Sequence, residues 1–282
     1  MSHWKTRIQL LRRFLAYYHK ANTIYDVHSP FVYKFAQQVI EDKRMFYPFK
    51  IIENLRQKLL HDDKRVNIIE FGKGSQVDAS LERSIKSIVR YGAIGPETGR
   101  QLFRLVNWHK PKTILELGTS TGISTMYLTA AALNAKVITI EGNPEIADLA
   151  QRNFKQMGLN QIQVIKAPFD AGLDQVFKQK PKLDFVFIDG NHDYSATMAY
   201  FEKCLPYMHN ESVFVIADIY WSSEMMKAWN NLHRSENITL SIDLYHFGVL
   251  YKHSIFRERE HFVLVPAKWK PWHLGIFSPN KS

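Results

Sequence analysis

The segment that most constrains this chain is residues 112–124, KTILELGTSTGIS, which predicts a strand, a glycine turn and the start of a helix. Its short run of Ile and Leu is typical of a parallel strand that is buried on both faces. Gly118 ends the run, and Gly122 follows four residues later. The rest of the predicted fold can be placed relative to this turn.

The small polar residues between the two glycines indicate a ligand-binding turn. Hydroxyl and backbone N–H groups of Thr119 and Ser120 stand at the positive end of the helix that follows, where a polar ligand is favoured. The dinucleotide fingerprint G-x-G-x-x-G is missing, which disfavours a pyrophosphate site and a nicotinamide-dependent oxidoreductase.

From residue 113 onward, apolar strands alternate with helical segments. This spacing predicts an α/β fold with a doubly wound, Rossmann-like parallel sheet. Two further segments, 238–245 and 261–265, lack a helix between them, and they predict a terminal antiparallel hairpin that completes seven strands. The five parallel strands are predicted at residues 113–117, 136–141, 161–166, 183–188 and 212–217.

The spacing E-L-G-x-x-x-G-x-S, which begins at Glu116, resembles motif I of class I S-adenosylmethionine-dependent methyltransferases. It is most similar to the catechol and caffeoyl-CoA O-methyltransferase branch. The resemblance implies that the turn wraps the methionine end of the cofactor, with Ser124 near its carboxylate. The cofactor-binding residues that it implies are Glu116, Gly118, Thr119, Ser120, Gly122, Ser124, Glu141, Phe169 and Asp189.

Acidic residues end the next predicted strands, at the edge of the sheet where open α/β folds bind ligands. Glu141 can accept both ribose hydroxyls of an adenosine-type cofactor, as the equivalent acid does in the resembled family. The alternative is an acid that offsets a helix dipole, but Pro144 and Glu145 already serve that helix start. Phe169 lies where the family contacts adenine.

Asp189 and Asp218 each end an apolar strand, and they match the two metal-binding aspartates of the resembled family. His192 replaces the family's lysine, and an imidazole can take over its role as the general base. Ile219 replaces the asparagine that is the third metal ligand, so dependence on Mg²⁺ is doubtful. Either Asp193 or His192 completes a metal site, or the carboxylates bind substrate and cofactor directly.

The aromatic pair Tyr220 and Trp221 follows, and we expect it to wall a flat or apolar acceptor.

The positive charge is concentrated in the first part of the chain. Up to Lys110 there are 20 Lys and Arg against 10 Asp and Glu, and the remainder has 17 of each kind. We predict a basic helical extension at residues 1–94 and a methyltransferase domain at residues 95–282. The basic part suggests RNA, an anionic surface or an acidic partner, although a solvated basic face is the more common explanation.

The first helix is amphipathic, because Trp4, Ile8, Leu11, Leu15 and Tyr18 recur at helical spacing. We expect this stripe to pack against the protein itself or against a second copy in a homodimer, in preference to a membrane surface.

Composition predicts a globular protein, with 45% hydrophobic residues and a single cysteine, Cys204, that is expected in the core. No apolar run is long enough for a transmembrane segment, and the start lacks a signal peptide's apolar centre, so we predict a cytoplasmic protein. A second glycine turn at residues 71–75 is predicted to be a connector.

The function predicted from the sequence is S-adenosylmethionine-dependent O-methylation of a small hydroxylated acceptor, with His192 and Asp189 as catalytic residues. Two alternatives stay open at this stage. One is an RNA methyltransferase that uses the basic helices, and the other is a non-catalytic cofactor-binding or partner-binding protein with the same fold.

Overall fold

A central eight-stranded sheet organises the computed structural model, which describes residues 3–68, 82–252 and 258–271. The strand order in this sheet is β10-β8-β9-β7-β6-β3-β4-β5, and β1 and β2 form a separate two-stranded sheet. The strands are β1 (Arg65–Asn67), β2 (Glu82–Ser84), β3 (Thr113–Leu117), β4 (Lys136–Glu141), β5 (Ile162–Lys166), β6 (Leu183–Ile188), β7 (Met208–Ala217), β8 (Leu240–Asp243), β9 (Phe247–Tyr251) and β10 (Glu260–Val263).

Helices cover both faces of the sheet, as the alternation of strands and helices predicts. The helices are α1 (His3–Lys20), α2 (Pro30–Phe35), α3 (Tyr47–Leu59), α4 (Ile85–Gly92), α5 (Pro96–His109), α6 (Ile123–Ala131), α7 (Pro144–Gln156), α8 (Phe169–Phe177), α9 (Tyr194–Cys204) and α10 (Ser223–Leu232). A π-helical segment (Ala36–Ile40) and three short 3-10 segments (Ile24–Asp26, Leu205–Tyr207, Ala267–Trp269) complete the helical structure of the described residues.

The parallel strands run in the order β5-β4-β3-β6-β7, so the chain changes direction across the sheet between β3 and β6. At this point Leu117 pairs with Ile140 on one side and with Ile188 on the other. A crevice at the carboxyl ends of the strands is expected where the strand order reverses. The five predicted parallel strands and the doubly wound fold class are therefore confirmed.

The predicted end of the sheet is corrected in its pairing and in its strand count. The segments 238–245 and 261–265 do contain neighbouring strands, but β8 and β10 are parallel. The antiparallel hairpin consists of β8 and β9, and β9 inserts beside β7. Sequence reasoning missed β9 because its turn has no Gly, Pro or Asn, and Tyr245 adopts the left-handed region there with φ 70°.

The amino-terminal helices share their core with the sheet. Val32 and Phe35 of α2 are fully buried in one cluster with Leu102 of α5 and with Ile114 and Phe185 of the sheet. Cys204 is buried against the opposite face of the sheet, as predicted. The boundary at residue 94 stays a prediction, and the glycine turn at residues 71–75 lies outside the described residues.

The first helix packs on the protein with a different face from the one expected. Tyr17 is buried and Phe14 contacts Tyr245, with ring centroids 5.1 Å apart. Leu11 and Leu15, from the predicted packing stripe, are exposed. Phe14, Tyr17 and Tyr18 therefore pack on the protein, whereas Leu11 and Leu15 face outward.

Candidate active site

The glycine turn after β3 lies at the point where the strand order reverses. Gly118 has φ +101°, and a Cβ at this position would lie 2.0 Å from the carbonyl oxygen of Asp189. Gly122 has φ +87°, and its Cβ would lie 2.4 Å from the Phe154 ring. A side chain at either position is therefore excluded both by the backbone conformation and by a neighbouring residue.

The carboxylate of Glu141 joins the end of β4 to this turn. It accepts hydrogen bonds from the backbone N–H groups of Ser120, at 2.8 Å, and Asn143, at 2.9 Å. Burial raises the pKa of the Glu141 carboxyl, and these two N–H donors partly offset the increase. Glu141 therefore presents an oriented acceptor at the edge of the sheet.

A cavity of about 480 Å³ opens beside this carboxylate. Five of the predicted cofactor-binding residues line it: Gly118, Ser120, Glu141, Phe169 and Asp189. We refer to this space as the cofactor cavity.

Four other predicted cofactor residues, Glu116, Thr119, Gly122 and Ser124, are not among the residues that line the cofactor cavity. Glu116 is fully buried, and its Oε2 accepts hydrogen bonds from the hydroxyls of Thr125, at 2.5 Å, and Thr139, at 2.6 Å. Thr119 hydrogen-bonds to the same Thr139 hydroxyl.

This buried polar cluster leaves one oxygen of Glu116, Oε1, without a hydrogen-bond partner among the described residues. Burial raises the pKa of the Glu116 carboxyl, although the hydroxyl donors Thr125 and Thr139 oppose the increase. The cluster supports the glycine turn from beneath.

Asn191 and Tyr200 are among the further residues that line the cofactor cavity and that the sequence analysis did not identify. The Asn191 side-chain amide donates to the Tyr200 hydroxyl at 2.9 Å, and the Tyr200 ring meets the Phe169 ring edge-on, with centroids 5.6 Å apart. The only signal in the sequence was their position, Asn191 just after a strand end and Tyr200 in the second turn of the next helix.

Asp189, His192 and Asp218 converge at the neighbouring ends of β6 and β7. One ligand atom from each residue can be chosen so that all three lie within 4.8 Å of one another. His192 Nε2 lies 3.7 Å from an Asp218 carboxylate oxygen. Burial, followed by the carboxylates of Asp218 and Glu116, raises the pKa of Asp189 well above its usual range.

Ile219 and Asp193, the other two residues of the predicted metal region, lie outside this cluster. Ile219 is fully buried in the core, and its side chain has no donor atom. The Asp193 carboxylate caps α9 by accepting from the N–H groups of Ser195 and Ala196. Among the described residues, His192 is therefore the group that joins the two strand-end carboxylates.

A second cavity of about 400 Å³ lies against this cluster. His192, Asp218, Trp221 and His246 line it on the sheet side, and the loop between α4 and α5 lines it on the other side. Tyr220, in contrast, points to Asp243, whose carboxylate accepts its hydroxyl at 2.7 Å. We call this space the acceptor cavity.

The two cavities share a wall formed by residues 189–191. The cavities therefore adjoin at these residues, where a ligand in the cofactor cavity and a ligand in the acceptor cavity can approach each other. His246, which the sequence analysis missed, reaches the acceptor cavity from the unpredicted turn between β8 and β9.

A sequence profile of the O-methyltransferase family matches residues 75–245, which is more than half of the chain. This chain belongs to the O-methyltransferase family. The family resemblance drawn from motif I is confirmed.

Two catechol O-methyltransferases are among the similar curated proteins. The protein of Niastella koreensis is 31% identical over 121 residues, which cover 40% of this chain and 55% of the relative. The protein of Bos taurus is 26% identical over 166 residues, which cover 55% of this chain and 61% of the relative. The chain thus spans little more than half the length of these curated relatives.

Solved structures with the same fold include an O-methyltransferase from Bacillus cereus in complex with SAH, with a TM-score of 0.53 and 18% identity over 74% of this chain and 92% of that chain. TomG from Streptomyces achromogenes, in complex with SAM, has a TM-score of 0.53 and 15% identity over 79% and 95% of the two chains. Because the sequence identities are this low, the structural similarity establishes the fold alone.

Within the described residues, none of the helices has both the length and the apolar character required to cross a bilayer.

Proposed function

We propose that this protein transfers a methyl group from S-adenosylmethionine to a hydroxyl group of a small acceptor. The observation that carries the proposal is the wall of residues 189–191 that the cofactor and acceptor cavities share. A donor and an acceptor that meet beside these residues can be aligned for direct transfer, and such positioning supplies a large part of the rate of a two-substrate reaction.

The cofactor cavity fits an adenosine-type cofactor on two counts. Gly118 lines the cavity with backbone alone, and the Glu141 carboxylate faces the cavity, where it can accept two ribose hydroxyls. Phe169 and Tyr200 offer aromatic surface for a flat base. We assign Glu116, Thr119 and Ser124 to the support of the turn, because Glu116 and Thr119 are fully buried and Ser124 nearly so.

The acceptor side needs a base, and we assign that role to His192. Its imidazole lines the acceptor cavity beside Asp218, whose carboxylate can orient it and stabilise its protonated form. S-adenosylmethionine supplies an activated methyl group, and its sulfur keeps the electron pair of the broken bond. His192 takes the hydroxyl proton as the acceptor oxygen forms its bond to carbon, so charge and atoms balance.

The same residues offer a cation site of altered composition. Asp189 and Asp218 can hold a divalent cation as the family aspartates do, but Ile219 contributes nothing and His192 is the nearest third donor. A bound cation would lower the pKa of an acceptor hydroxyl. One imidazole beside two carboxylates suits Mn²⁺ or Zn²⁺ better than Mg²⁺, which prefers oxygen ligands.

The two roles of His192 make opposite predictions for metal binding. If His192 is the base alone, His192→Ala leaves the affinity for Mn²⁺ and Mg²⁺ unchanged in calorimetry. If it is a ligand, the variant loses most of its Mn²⁺ affinity, and the base must be sought elsewhere. Asp218→Asn is the matched variant that weakens metal binding in both cases.

The proposed function is tested by calorimetry of the purified protein with S-adenosylhomocysteine, with NAD as the control ligand. We expect micromolar affinity for the homocysteine product and none for NAD. Formation of S-adenosylhomocysteine from S-adenosylmethionine, with catechol as the first acceptor because the relatives are named for it, then tests turnover. A folded protein that binds neither ligand would refute the proposal.

A further inference from the structure

The outer face of α1 carries an aliphatic stripe that faces away from the rest of the described protein. Ile8, Leu11 and Leu15 are 37%, 57% and 54% exposed. Their spacing of three and four residues places them in one row along the helix. Exposed apolar rows of this kind mark interaction surfaces more often than isolated exposed leucines do.

The opposite face of α1 is held by specific contacts that fix its rotation. Arg13 Nη1 donates to the carbonyl oxygens of Tyr220, at 2.9 Å, and Trp221, at 2.7 Å. The buried Tyr17 donates its hydroxyl to the carbonyl of Leu264. Burial of the stripe through rotation of the helix would break all three hydrogen bonds.

Cations flank the stripe. Arg7 and Arg12, which lie on either side of the row on α1, are exposed. Residues 1–25 contain five Lys and Arg and no Asp or Glu. The stripe therefore lies in a positive field that acids of the same segment do not weaken.

An exposed tryptophan packs beside α1. Trp269 is exposed, its carbonyl accepts the Tyr18 hydroxyl at 2.5 Å, and its ring lies 6.0 Å from Phe14. The neighbouring Lys268 is also exposed. Trp and Lys are typical residues of the interface between a bilayer and water.

We propose that α1 docks this protein onto an anionic lipid surface, with the aliphatic stripe inserted among the lipids and the flanking cations at the headgroups. Charge complementarity selects this occupant over a second copy of the chain, whose identical face would bring like charges together. RNA is disfavoured because single-stranded nucleic acid is held by stacking on aromatic rings, whereas this row is aliphatic. The inference does not depend on methyl transfer.

The test is flotation of the full chain with vesicles of phosphatidylglycerol and phosphatidylcholine in equal parts, compared with phosphatidylcholine alone. We expect co-flotation with the anionic vesicles and little with the neutral ones. The double variant Leu11→Glu, Leu15→Glu should bind at least about tenfold more weakly. Arg7→Gln with Arg12→Gln should cost roughly fivefold for each cation removed.

The matched control is Leu133→Glu, which places the same charge at a leucine that is 66% exposed outside this surface. This control variant should float like the unmodified protein. All variants should have the same thermal unfolding temperature as the unmodified protein. Absence of flotation at low salt, or equal loss in the control, would overturn the proposal. The proposal would also be overturned if sedimentation showed a dimer, or a mobility-shift assay showed an RNA complex, and the double leucine variant abolished it.

Discussion

The cofactor cavity is shaped mainly by backbone groups, whereas the acceptor cavity is shaped mainly by side chains. The cofactor cavity depends on backbone: a glycine turn, N–H groups that orient Glu141, and the close approach of β3 to β6. The acceptor cavity depends on side chains, among them His192, Trp221 and His246. A backbone site cannot change without disturbing the fold, whereas a side-chain site can be altered one residue at a time. Of the two departures from the family pattern, His192 lines the acceptor cavity, whereas Ile219 is buried in the core.

The largest effect that we expect comes from Gly118→Ala. The added methyl would lie 2.0 Å from the Asp189 carbonyl at a φ that disfavours side chains. We expect a loss of at least about 3 kcal/mol of unfolding free energy and no measurable binding of S-adenosylhomocysteine. Denaturant unfolding and calorimetry measure the two. Gly92→Ala is the control, since nothing lies within 4 Å of its added methyl.

The next effect separates the cavities. His192→Ala should lower kcat by about 100-fold or more, as loss of a general base does, and leave the affinity for S-adenosylhomocysteine unchanged. Single-turnover rates and calorimetry give these values. The exposed His61→Ala should change neither. Full turnover by the His192 variant would remove this residue from the mechanism.

Glu141→Ala should show the reverse pattern on the cofactor side. Loss of two charge-assisted hydrogen bonds should weaken S-adenosylhomocysteine by about 10- to 100-fold, with a smaller change in kcat at saturating cofactor. The exposed Glu202→Ala is the matched control. An unchanged affinity in the Glu141 variant would show that the ribose is bound elsewhere.

The affinity for S-adenosylhomocysteine should also depend on pH. Burial raises the pKa of Glu141, so protonation removes its acceptor oxygens at a higher pH than for an ordinary glutamate, whose pKa is about 4.3. Affinity should fall as pH is lowered through this raised pKa. Titrations from neutral into acidic pH should show the fall, and Glu141→Ala should flatten it. A flat profile in the unmodified protein would contradict the assignment.

The smallest effect concerns Trp221, which lines the acceptor cavity and is half-exposed. Trp221→Leu should raise KM for an aromatic acceptor by roughly tenfold, because it removes one packing surface and leaves kcat nearly intact. Steady-state kinetics of the unmodified protein and of the Trp221 variant give the two KM values. Trp269→Leu serves as the control. A loss confined to kcat would instead place Trp221 among the groups that position the reacting atoms.

The cofactor half of the site was predictable because its signals are local. A strand, two glycines and an acid at the next strand end are read from short segments, and parallel strands bring them to one edge. The burial of Glu116 and Thr119 was not predictable, because position next to a ligand turn does not tell which side chains point beneath it. Asn191 and Tyr200 carried no motif at all.

The acceptor half was less predictable because it depends on contacts between distant segments. The insertion of β9 beside β7 brings His246 to the cavity, and its tight turn lacks the usual residues. The orientation of α1 also escaped prediction. Periodicity identified an amphipathic helix, but Tyr17, which packs, and Leu11, which faces outward, are both apolar enough to be buried.

The shared wall of residues 189–191 has a consequence for inhibitor design. Because the two cavities adjoin there, one molecule that joins an adenosine fragment to an acceptor fragment needs only a short connection. Binding of the first fragment would then present the second at a high effective concentration. The affinity of the joined molecule would depend on the short distance between the cavities, and it could be high even if each fragment alone bound weakly.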